Sequence, residues 1–226
     1  VSYKARLVAK GYDQKYGIDF HETFAPVTRL TTVRVFAAIT MWKKLHWRHF
    51  DVTQAFLKGS IEEDIYIEQP EGFTQNDSKS KVYKLKKSLY GLKQAARQWN
   101  IAWRGMMQSL GFKQLVSDAC VYVRQSGNRW TALAIYVDDI VVTSTHEEEI
   151  EQLFVELKSK WDIKDLGTPK LLLGVNIETT ECSIVLHQRN YIVCILEQFG
   201  MSDCKPISTP MDLSIFDSAH DSEPAD

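Results

Sequence analysis

Several protein classes are disfavoured by what the 226-residue chain lacks. Its four cysteines form no CxxC pair and do not cluster with its six histidines, which argues against a zinc site or a disulfide scaffold. No apolar run approaches the roughly 18–20 residues of a membrane span, and the first residues lack the apolar core of a signal peptide. The composition, 44% hydrophobic and 25% charged, is that of a globular protein. These absences predict an intracellular protein with no membrane partner.

Charge of either sign is nearly balanced overall, but the balance hides a pattern. The net charge is −2, yet residues 1–202 carry 26 bases against 23 acids, and six acids with one base follow residue 202. Residues 79–97 contain seven bases and no acid, with Tyr83 and Tyr90 among them and Trp99 just beyond. Such a block attracts polyphosphates, and interleaved aromatic rings favour nucleic acid. A solvated basic face is the alternative interpretation.

Helical and strand periods alternate along the chain, which predicts an α+β fold. The patterns predict helices over residues 32–45, 92–110, 145–161 and 191–199, with a capping box at Thr145–Glu148. They predict strands over residues 6–9, 47–53, 64–68, 82–85, 120–124, 130–136, 140–143, 171–177 and 184–187.

Two adjacent acids, Asp138 and Asp139, lie between two apolar strand-like runs. Aspartate is unfavourable inside a strand, so the pair is predicted to occupy the tight turn of a hairpin. Two carboxylates about 4 Å apart repel by roughly 4 kcal/mol at an effective dielectric of about 20. A cation or solvent must offset that repulsion, so the pair is either a metal site or a solvated turn.

Asp51 lies in another strand candidate, where it is either an edge residue facing solvent or a third member of the acidic group. Carboxylates without histidine or cysteine suit Mg²⁺. Two such ions roughly 4 Å apart would serve nucleotidyl transfer. Phe56, five residues further on, faces the same site only if the chain bends at residues 53–55. Its ring is then either a barrier to a ribose 2′-hydroxyl or a plain core side chain.

Eight stretches, in order, resemble the reverse transcriptase of copia-type (pseudovirus) LTR retrotransposons. They are YKARLVAKGYDQ (3–14), DFHETFAPVTRL (19–30), FDVTQAFLKGSIEEDIYIEQPEGF (50–73), KLKKSLYGLKQAARQW (84–99), SDACVYV (117–123), YVDDIVV (136–142), DLGTPKLLLGVNI (165–177) and CKPISTPMD (204–212). Together they cover nearly the whole chain.

The resemblance implies a right-hand polymerase palm with partial fingers and the start of a thumb. Residues 1–46 would be partial fingers, and residues 47–165 the palm with a fingers insertion at about 65–100. Residues 166–202 would form the primer-grip hairpin and the start of the thumb, followed by a flexible tail over 203–226. The chain is expected to be an N-terminally truncated fragment, since the upstream part of the fingers is absent.

The resemblance also assigns roles to individual residues. It makes Asp51, Asp138 and Asp139 catalytic, and places two Mg²⁺ ions, with Mn²⁺ as a possible substitute, at Asp51, Val52 and Asp138. The nucleotide-binding residues it implies are Phe56, Ala55, Tyr90, Gly91, Lys4, Arg6 and Lys10, and which of the last three bases meets the triphosphate stays open. The nucleic-acid-binding residues it implies are Tyr136, Lys84, Lys86, Lys87, Lys93, Arg97, Leu173 and Gly174.

The implied function is RNA-directed DNA polymerisation, in which a primer 3′-hydroxyl attacks a dNTP on an RNA or DNA template. The implied context is a Gag-Pol polyprotein with protease, integrase and ribonuclease H, in a cytoplasmic virus-like particle or the nucleus. A catalytically inactive remnant that still binds nucleic acid is the alternative. A third possibility, another two-metal enzyme such as a nucleotidyl cyclase, fits the acids but not the other stretches.

Overall fold

The computed structural model describes residues 3, 5–70, 72–73 and 81–210. They combine helices with antiparallel strands, which confirms the predicted α+β class. The helices in this part of the chain are α1 (Leu30–Lys43), α2 (Ala95–Ser109), α3 (Glu147–Lys158) and α4 (Arg189–Gln198). The strands are β1 (His46–Val52), β2 (Tyr66–Ile67), β3 (Tyr83–Lys84), β4 (Lys113–Gln114), β5 (Val121–Ser126), β6 (Arg129–Tyr136), β7 (Asp139–Ser144), β8 (Ile163–Asp165), β9 (Leu171–Leu172), β10 (Val175–Thr179) and β11 (Ile184–His187).

The chain divides into compact units of residues 1–186 and 187–226. The first unit contains α1, α2 and α3 with the strands of its central sheet. The second contains α4, none of whose residues is buried.

A six-stranded antiparallel sheet in the order β4-β5-β6-β7-β1-β8 is the centre of the first unit. Strands β6 and β7 are buried along most of their length. Because both faces of these strands are covered, their sequences contain consecutive apolar and β-branched residues instead of strict alternation. Strand β1 lies beside β7 although the two are distant in the chain, so the end of β1 meets the turn between β6 and β7.

Helices α2 and α3 cover one face of this sheet. In α2, Trp99, Trp103 and Met107 recur every four residues and therefore lie on one side of the helix. They pack with Phe50 and Val52 of β1 in a core whose members are almost inaccessible to solvent. Each large apolar side chain that is fully buried contributes roughly 1.5–3 kcal/mol.

The other face is covered by α1 and by the small sheet of β9, β10 and β11. Val33, Phe36 and Ala37 of α1 pack with Trp47 of β1 and with Leu172 of β9 in a second buried cluster. Asp51, near the end of β1, lies on this face and is partly exposed.

A buried carboxylate joins α3 to the hairpin of β5 and β6. Glu149 accepts hydrogen bonds from Arg129 at 2.8 Å and from Arg124 at 3.3 Å, and its side chain is only 12% exposed. The bond from Arg129, followed by the charge of Arg124, holds the pKa of Glu149 below its ordinary value despite burial. Paired in this way, the charge fixes the position of α3 on the sheet.

The strand predicted over residues 6–9 is absent, and residues 5–10 belong to none of the described helices and sheets. Among the described residues its backbone is tied to the rest of the unit through the Ala9 amide, which donates to the Tyr90 carbonyl at 2.7 Å. Alternating side chains do not show whether a segment has a hydrogen-bonded neighbouring strand, so the pattern alone does not separate a strand from a loop.

The predicted capping box at the start of α3 is wrong. The helix begins at Glu147 after His146, and no side chain caps it. The Thr145 hydroxyl instead accepts a hydrogen bond from the Trp130 amide at 3.0 Å, which ties β7 to β6.

The strand predicted over residues 171–177 is interrupted at Leu173 and Gly174. Both have positive φ angles, 52° and 75°, and form the turn between β9 and β10. The predicted hairpin with β11 is confirmed, since β10 lies between β9 and β11.

Two findings concern the ends and the lengths of elements. Across the described residues, the helices fall short of the length and apolarity that a bilayer crossing requires. Most of the tail predicted to be flexible falls on residues 211–226, which lie outside the described residues.

Candidate active site

The three acids singled out by sequence lie at one end of the central sheet. Asp51 of β1 pairs with Asp139 of β7, which in turn pairs with Tyr136 of β6. Directly opposed residues of antiparallel strands have Cα atoms about 5 Å apart and project to the same face. The sheet therefore aligns Asp51, Asp139 and Tyr136 in one row across three strands, which we call the acidic row.

Asp138 occupies the two-residue turn between β6 and β7, together with Val137, whereas Asp139 is the first residue of β7. The prediction that both acids lie in the turn is wrong, because the pair of Tyr136 with Asp139 extends the ladder by one residue. As a result the two carboxylates have different surroundings, one at the turn and one in the sheet.

The backbone of this turn is strained and is fixed by hydrogen bonds. Val137 has a φ angle of 52°, in the left-handed region that costs a β-branched residue roughly 1–3 kcal/mol. The Val52 amide donates to the Asp138 carbonyl at 2.8 Å, and the Trp99 indole N–H donates to the Val137 carbonyl at 2.8 Å. The turn is thus bonded both to β1 and to α2.

The Asp138 carboxylate is partly withdrawn from solvent. Its Oδ2 accepts a hydrogen bond from the Tyr90 hydroxyl at 3.2 Å, whereas its Oδ1 is buried with no partner among the described residues. Burial raises the pKa of Asp138, and so do the charges of Asp51 and Asp139, while the bond from Tyr90 and the charge of Arg6 oppose the rise. A buried oxygen without a partner beside two further carboxylates is a site that a cation would stabilise.

The donor set at this end of the sheet fits Mg²⁺ in its chemistry. Within the described part of the chain, no three Asp, Glu, His or Cys side chains are arranged to hold a metal ion together. The oxygens available are the carboxylates of Asp51 and Asp138. Val52 adds a backbone carbonyl close by, since its amide is bonded to the Asp138 carbonyl. Mg²⁺ commonly takes one or two carboxylates and completes its shell with water and substrate phosphates, so two aspartates suffice.

Asp139 makes a different contact from Asp138. Its Oδ1 lies 2.7 Å from Nε2 of His49, whose side chain is only 6% exposed. His49 and Asp51 are two residues apart in β1 and project from the same face of the sheet. The imidazole therefore fixes the carboxylate of Asp139, the middle member of the acidic row.

The chain bends after β1, which is the condition that the sequence analysis set for Phe56 to share a site with Asp51. Gln54 adopts a left-handed conformation, with a φ of 58°, and the 3-10 helix Ala55–Lys58 follows directly. The rings of Phe56 and Tyr90 lie 4.6 Å apart between centroids, and the adjacent Ala55 is fully buried. Phe56 and Tyr90 therefore form one aromatic surface beside Asp138.

Basic residues of the N-terminal segment lie near this surface to different degrees. The Arg6 guanidinium carbon is 5.5 Å from the centroid of the Tyr90 ring. Lys10 is exposed, and Lys4 lies outside the described residues. Among the described bases of this segment, Arg6 lies against Tyr90, and its charge acts on Asp138.

Two glycines allow the N-terminal segment to contact the segment that carries Tyr90. A Cβ on Gly11 would overlap the carbonyl oxygen of Gly91, and a Cβ on Gly91 would overlap that of Ala9. Gly91 also has a φ of 93°, which disfavours any side chain. The two backbones are in direct contact only because both positions lack a side chain.

Three of the seven bases of the 79–97 block are engaged within the protein. Lys84 forms an ion pair with Asp64. Lys93 donates to the Gln14 carbonyl at 3.0 Å, and Arg97 pairs with Glu22 at 3.2 Å. Lys86 and Lys87 are exposed. The nucleic-acid-binding role of all five bases remains a prediction.

The turn between β9 and β10 lies close to the acidic row. Leu173 lines a small cavity of about 10 Å³ together with Tyr136 and Asp139. Tyr136 is partly exposed, at 36%. The hairpin that carries Leu173 and Gly174 therefore borders the site on the α1 side of the sheet.

Comparison with known proteins agrees with this geometry. Residues 1–213 match the family described as reverse transcriptase (RNA-dependent DNA polymerase). The chain belongs to the reverse transcriptase family. The resemblance stated from the sequence is thereby confirmed, whereas the division of the chain into fingers, palm and thumb remains a prediction.

Two of the relatives are Pol polyproteins of plant transposons. The chain is 44% identical over 214 residues to the retrovirus-related Pol polyprotein from transposon TNT 1-94 of Nicotiana tabacum, covering 93% of this chain and 16% of that protein. It is 38% identical over 209 residues to that from transposon RE1 of Arabidopsis thaliana, covering 92% and 14%. The chain thus spans about a sixth of the length of these relatives. Among solved structures, apo telomerase from Candida tropicalis gives a TM-score of 0.35 at 7% identity, covering 71% of this chain and 40% of that chain.

Sequence reasoning missed two residues of this reverse transcriptase site. His49 could have been found from its position two residues before Asp51 on the same face of β1. Trp99 lies just beyond the basic block and within a predicted helix, and nothing in its local sequence indicates that its indole reaches the turn that carries Asp138.

Proposed function

We propose that this chain is the polymerase domain of a copia-type Pol polyprotein and that it extends a DNA primer on an RNA template. The observation that carries the proposal is the position of Asp51, Asp138 and Asp139 at one end of the palm sheet, in a chain matched by the reverse transcriptase family over residues 1–213. Its substrates would be a primer paired to an RNA or DNA template and a dNTP.

Asp51 and Asp138 would hold two Mg²⁺ ions, with a backbone oxygen of Val52 as a further ligand and Mn²⁺ as a substitute. The chemistry such ions supply when bound is activation of the primer 3′-hydroxyl and neutralisation of the charge on the departing pyrophosphate. The protein's own contribution is orientation. The Tyr90 hydroxyl donates to Oδ2 of Asp138, and Oδ1, which is buried without a partner among the described residues, would be the oxygen that a cation satisfies.

The aromatic surface would receive the incoming nucleotide. Phe56 would lie against the sugar, and Arg6, beside the ring of Tyr90, would meet the triphosphate. Gly91 would contribute to nucleotide binding by letting the segment that carries Arg6 lie against Tyr90, because the Ala9 carbonyl fills the space of its missing side chain. The exposed Lys86 and Lys87 and the hairpin at Leu173 would contact the backbones of the template and the primer.

The polyprotein context would add protease, integrase and ribonuclease H. The relatives reported above are Pol polyproteins, and this supports a chain that works as one part of such a protein. The compartment we propose on the same basis is a cytoplasmic virus-like particle or the nucleus.

The direct test is primer extension by the 226-residue chain. A labelled DNA primer annealed to an RNA template, with Mg²⁺ and single dNTPs, should gain only the nucleotide complementary to the template. Base pairing sets this selection, so the three other dNTPs should be incorporated at least about tenfold more slowly.

The alternative, a remnant that binds nucleic acid without catalysis, gives a different result in the same samples. The labelled duplex would then be retained by the chain in a gel-shift assay, with affinity falling steeply with salt. No extension would occur with either Mg²⁺ or Mn²⁺. Retention without extension would contradict the polymerase proposal.

Replacing Phe56 should change the sugar preference. Phe56→Val removes a ring that packs on Tyr90 and leaves space beside the nucleotide sugar, so we expect discrimination against ribonucleotides to fall about 10–100-fold. The measurement is the ratio of kcat/KM for a dNTP to that for the matching ribonucleotide. Phe73→Val makes the same change at an exposed ring and should leave the ratio unaltered. An unchanged ratio in Phe56→Val would mean that the ring serves only packing.

A further inference from the structure

The turn that presents Asp138 contains a residue poorly suited to its conformation. Val137 is β-branched yet has a φ of 52°. Valine disfavours this region, whereas asparagine and glycine enter it readily. Left to its own preference, a turn with valine at this position would relax and move the carboxylate of Asp138.

The side chain that opposes such relaxation comes from α2. The indole N–H of Trp99 donates to the carbonyl of Val137 at 2.8 Å. Trp99 is 3% exposed, and its ring centroid lies 5.8 Å from that of Trp103 and 5.0 Å from that of Trp161. Because these rings immobilise the indole, its N–H fixes the position of the carbonyl it contacts.

Trp103, one helical turn later, provides a contrast within the same helix. It is fully buried and stacks on Trp161, with centroids 5.7 Å apart. Its indole N–H, however, has no hydrogen-bond partner among the described residues. A tryptophan can therefore pack in this cluster without a hydrogen bond from its indole N–H. The bond from Trp99 to the turn is thus not a requirement of packing.

We propose that Trp99 is a positioning residue that holds the turn at Val137 and thereby fixes the carboxylate of Asp138 for catalysis. The catalytic part of this inference rests on the proposed polymerase function. The structural part, that the indole N–H keeps the turn closed, stands whether or not the chain is a polymerase.

Amide hydrogen exchange tests the structural part with a matched pair of variants. Trp99→Phe and Trp103→Phe both replace an indole with a phenyl ring, but only the first removes a bond to the turn. The Val52 amide donates to the backbone carbonyl of Asp138. It should exchange about tenfold faster in Trp99→Phe and less than about threefold faster in Trp103→Phe. The His49 amide, also on β1, donates to the Gly167 carbonyl and not to the turn. It is the internal reference, and its exchange rate should change equally in both variants.

A third variant tests whether strain at Val137 is what Trp99 opposes. Val137→Asn places a residue that tolerates positive φ in the turn, so the turn should need the indole less. In that background, Trp99→Phe should accelerate exchange at Val52 by less than about threefold, in contrast to the tenfold expected with valine. A full tenfold effect with asparagine would overturn the proposal, as would equal exchange at Val52 in the two tryptophan variants.

Kinetics test the catalytic part. Displacement of Asp138 slows the chemical step and leaves nucleotide binding in place, so kcat for incorporation should fall about tenfold in Trp99→Phe with KM for the dNTP within about twofold. Trp103→Phe should keep both constants within about twofold. A wild-type chain without activity would refute the polymerase function, and hydrogen exchange would still decide the role of Trp99. An active wild type with equal losses in both variants would overturn the positioning role.

Discussion

Asp138→Asn is expected to lower the rate of nucleotide incorporation at least about a thousandfold. Asparagine keeps the shape of the side chain and an oxygen that accepts the hydrogen bond from Tyr90. It removes the negative charge, and a neutral amide is a poor ligand for a divalent cation. The measurement is single-turnover incorporation on a primer annealed to an RNA template. Affinity for the primer–template, followed by filter binding, should change less than about threefold, because phosphate contacts dominate it.

Loss of fold would not explain this loss of activity. The raised pKa of Asp138 means that its ionised form is disfavoured in the folded protein. Its charge therefore reduces stability above the ordinary pKa of 3.8, and a neutral residue relieves that cost. We expect the free energy of unfolding of Asp138→Asn, from urea titration, to be no more than about 1 kcal/mol below that of the wild type.

Asp162→Asn is the control for this experiment. Its side chain is exposed, and its backbone carbonyl accepts a hydrogen bond from the Thr53 amide just after β1. The same chemical change close to the site should therefore leave incorporation within about twofold. Full activity of Asp138→Asn would contradict the catalytic assignment, and equal losses in both variants would point to a general effect of removing acids.

Gly91→Ala is expected to lower the free energy of unfolding by about 2–4 kcal/mol and to remove most activity. The new Cβ would overlap the Ala9 carbonyl oxygen and would lie 2.8 Å from a methyl of Val8. The φ of 93° adds backbone strain for any residue with a side chain. Relief requires the N-terminal segment to move away from Tyr90, which takes Arg6 with it.

The matched control is Gly105→Ala, the same change inside α2. A Cβ at Gly105 would meet nothing within 4 Å, and alanine favours the helix. This variant should be more stable than the wild type by about 0.5–1 kcal/mol, and its activity should be unchanged. A lower free energy of unfolding in Gly91→Ala and a higher one in Gly105→Ala, both from urea titration, would support the contact between the N-terminal segment and Gly91. Destabilisation of less than about 0.5 kcal/mol by Gly91→Ala would show that the N-terminal segment is not held against Gly91.

Elements with strong periodicity could be predicted from the sequence. The pattern of α2 predicts the face that carries Trp99, and the apolar runs around residues 136–142 predict β6 and β7. The segment over residues 6–9 was mistaken for a strand because alternation does not reveal whether a hydrogen-bonded neighbour exists. The break at Leu173 was missed because an apolar residue at positive φ has no local signature, although the following Gly174 is typical of such turns.

The acids of the site could be predicted individually, but their environments could not. A carboxylate in a turn and one in a strand differ in burial and partners, and these depend on register. His49 meets Asp139 only because β1 and β7 align as they do. The same limit applies to the basic block, where charge alone does not reveal that Lys93 and Arg97 are engaged by residues 14–22.

The strand order β7-β1-β8 has a consequence for how the protein is made. Asp51 leaves the ribosome before any residue of β7 or β8 exists, so β1 has neither of its neighbours when it is first synthesised. At about 5–20 residues per second, β7 follows after an interval of roughly 5–20 s. Until β7 and β8 are made, β1 has two unpaired edges and an apolar face, which exposes it to mispairing. The acidic row therefore assembles late, after translation has reached β7.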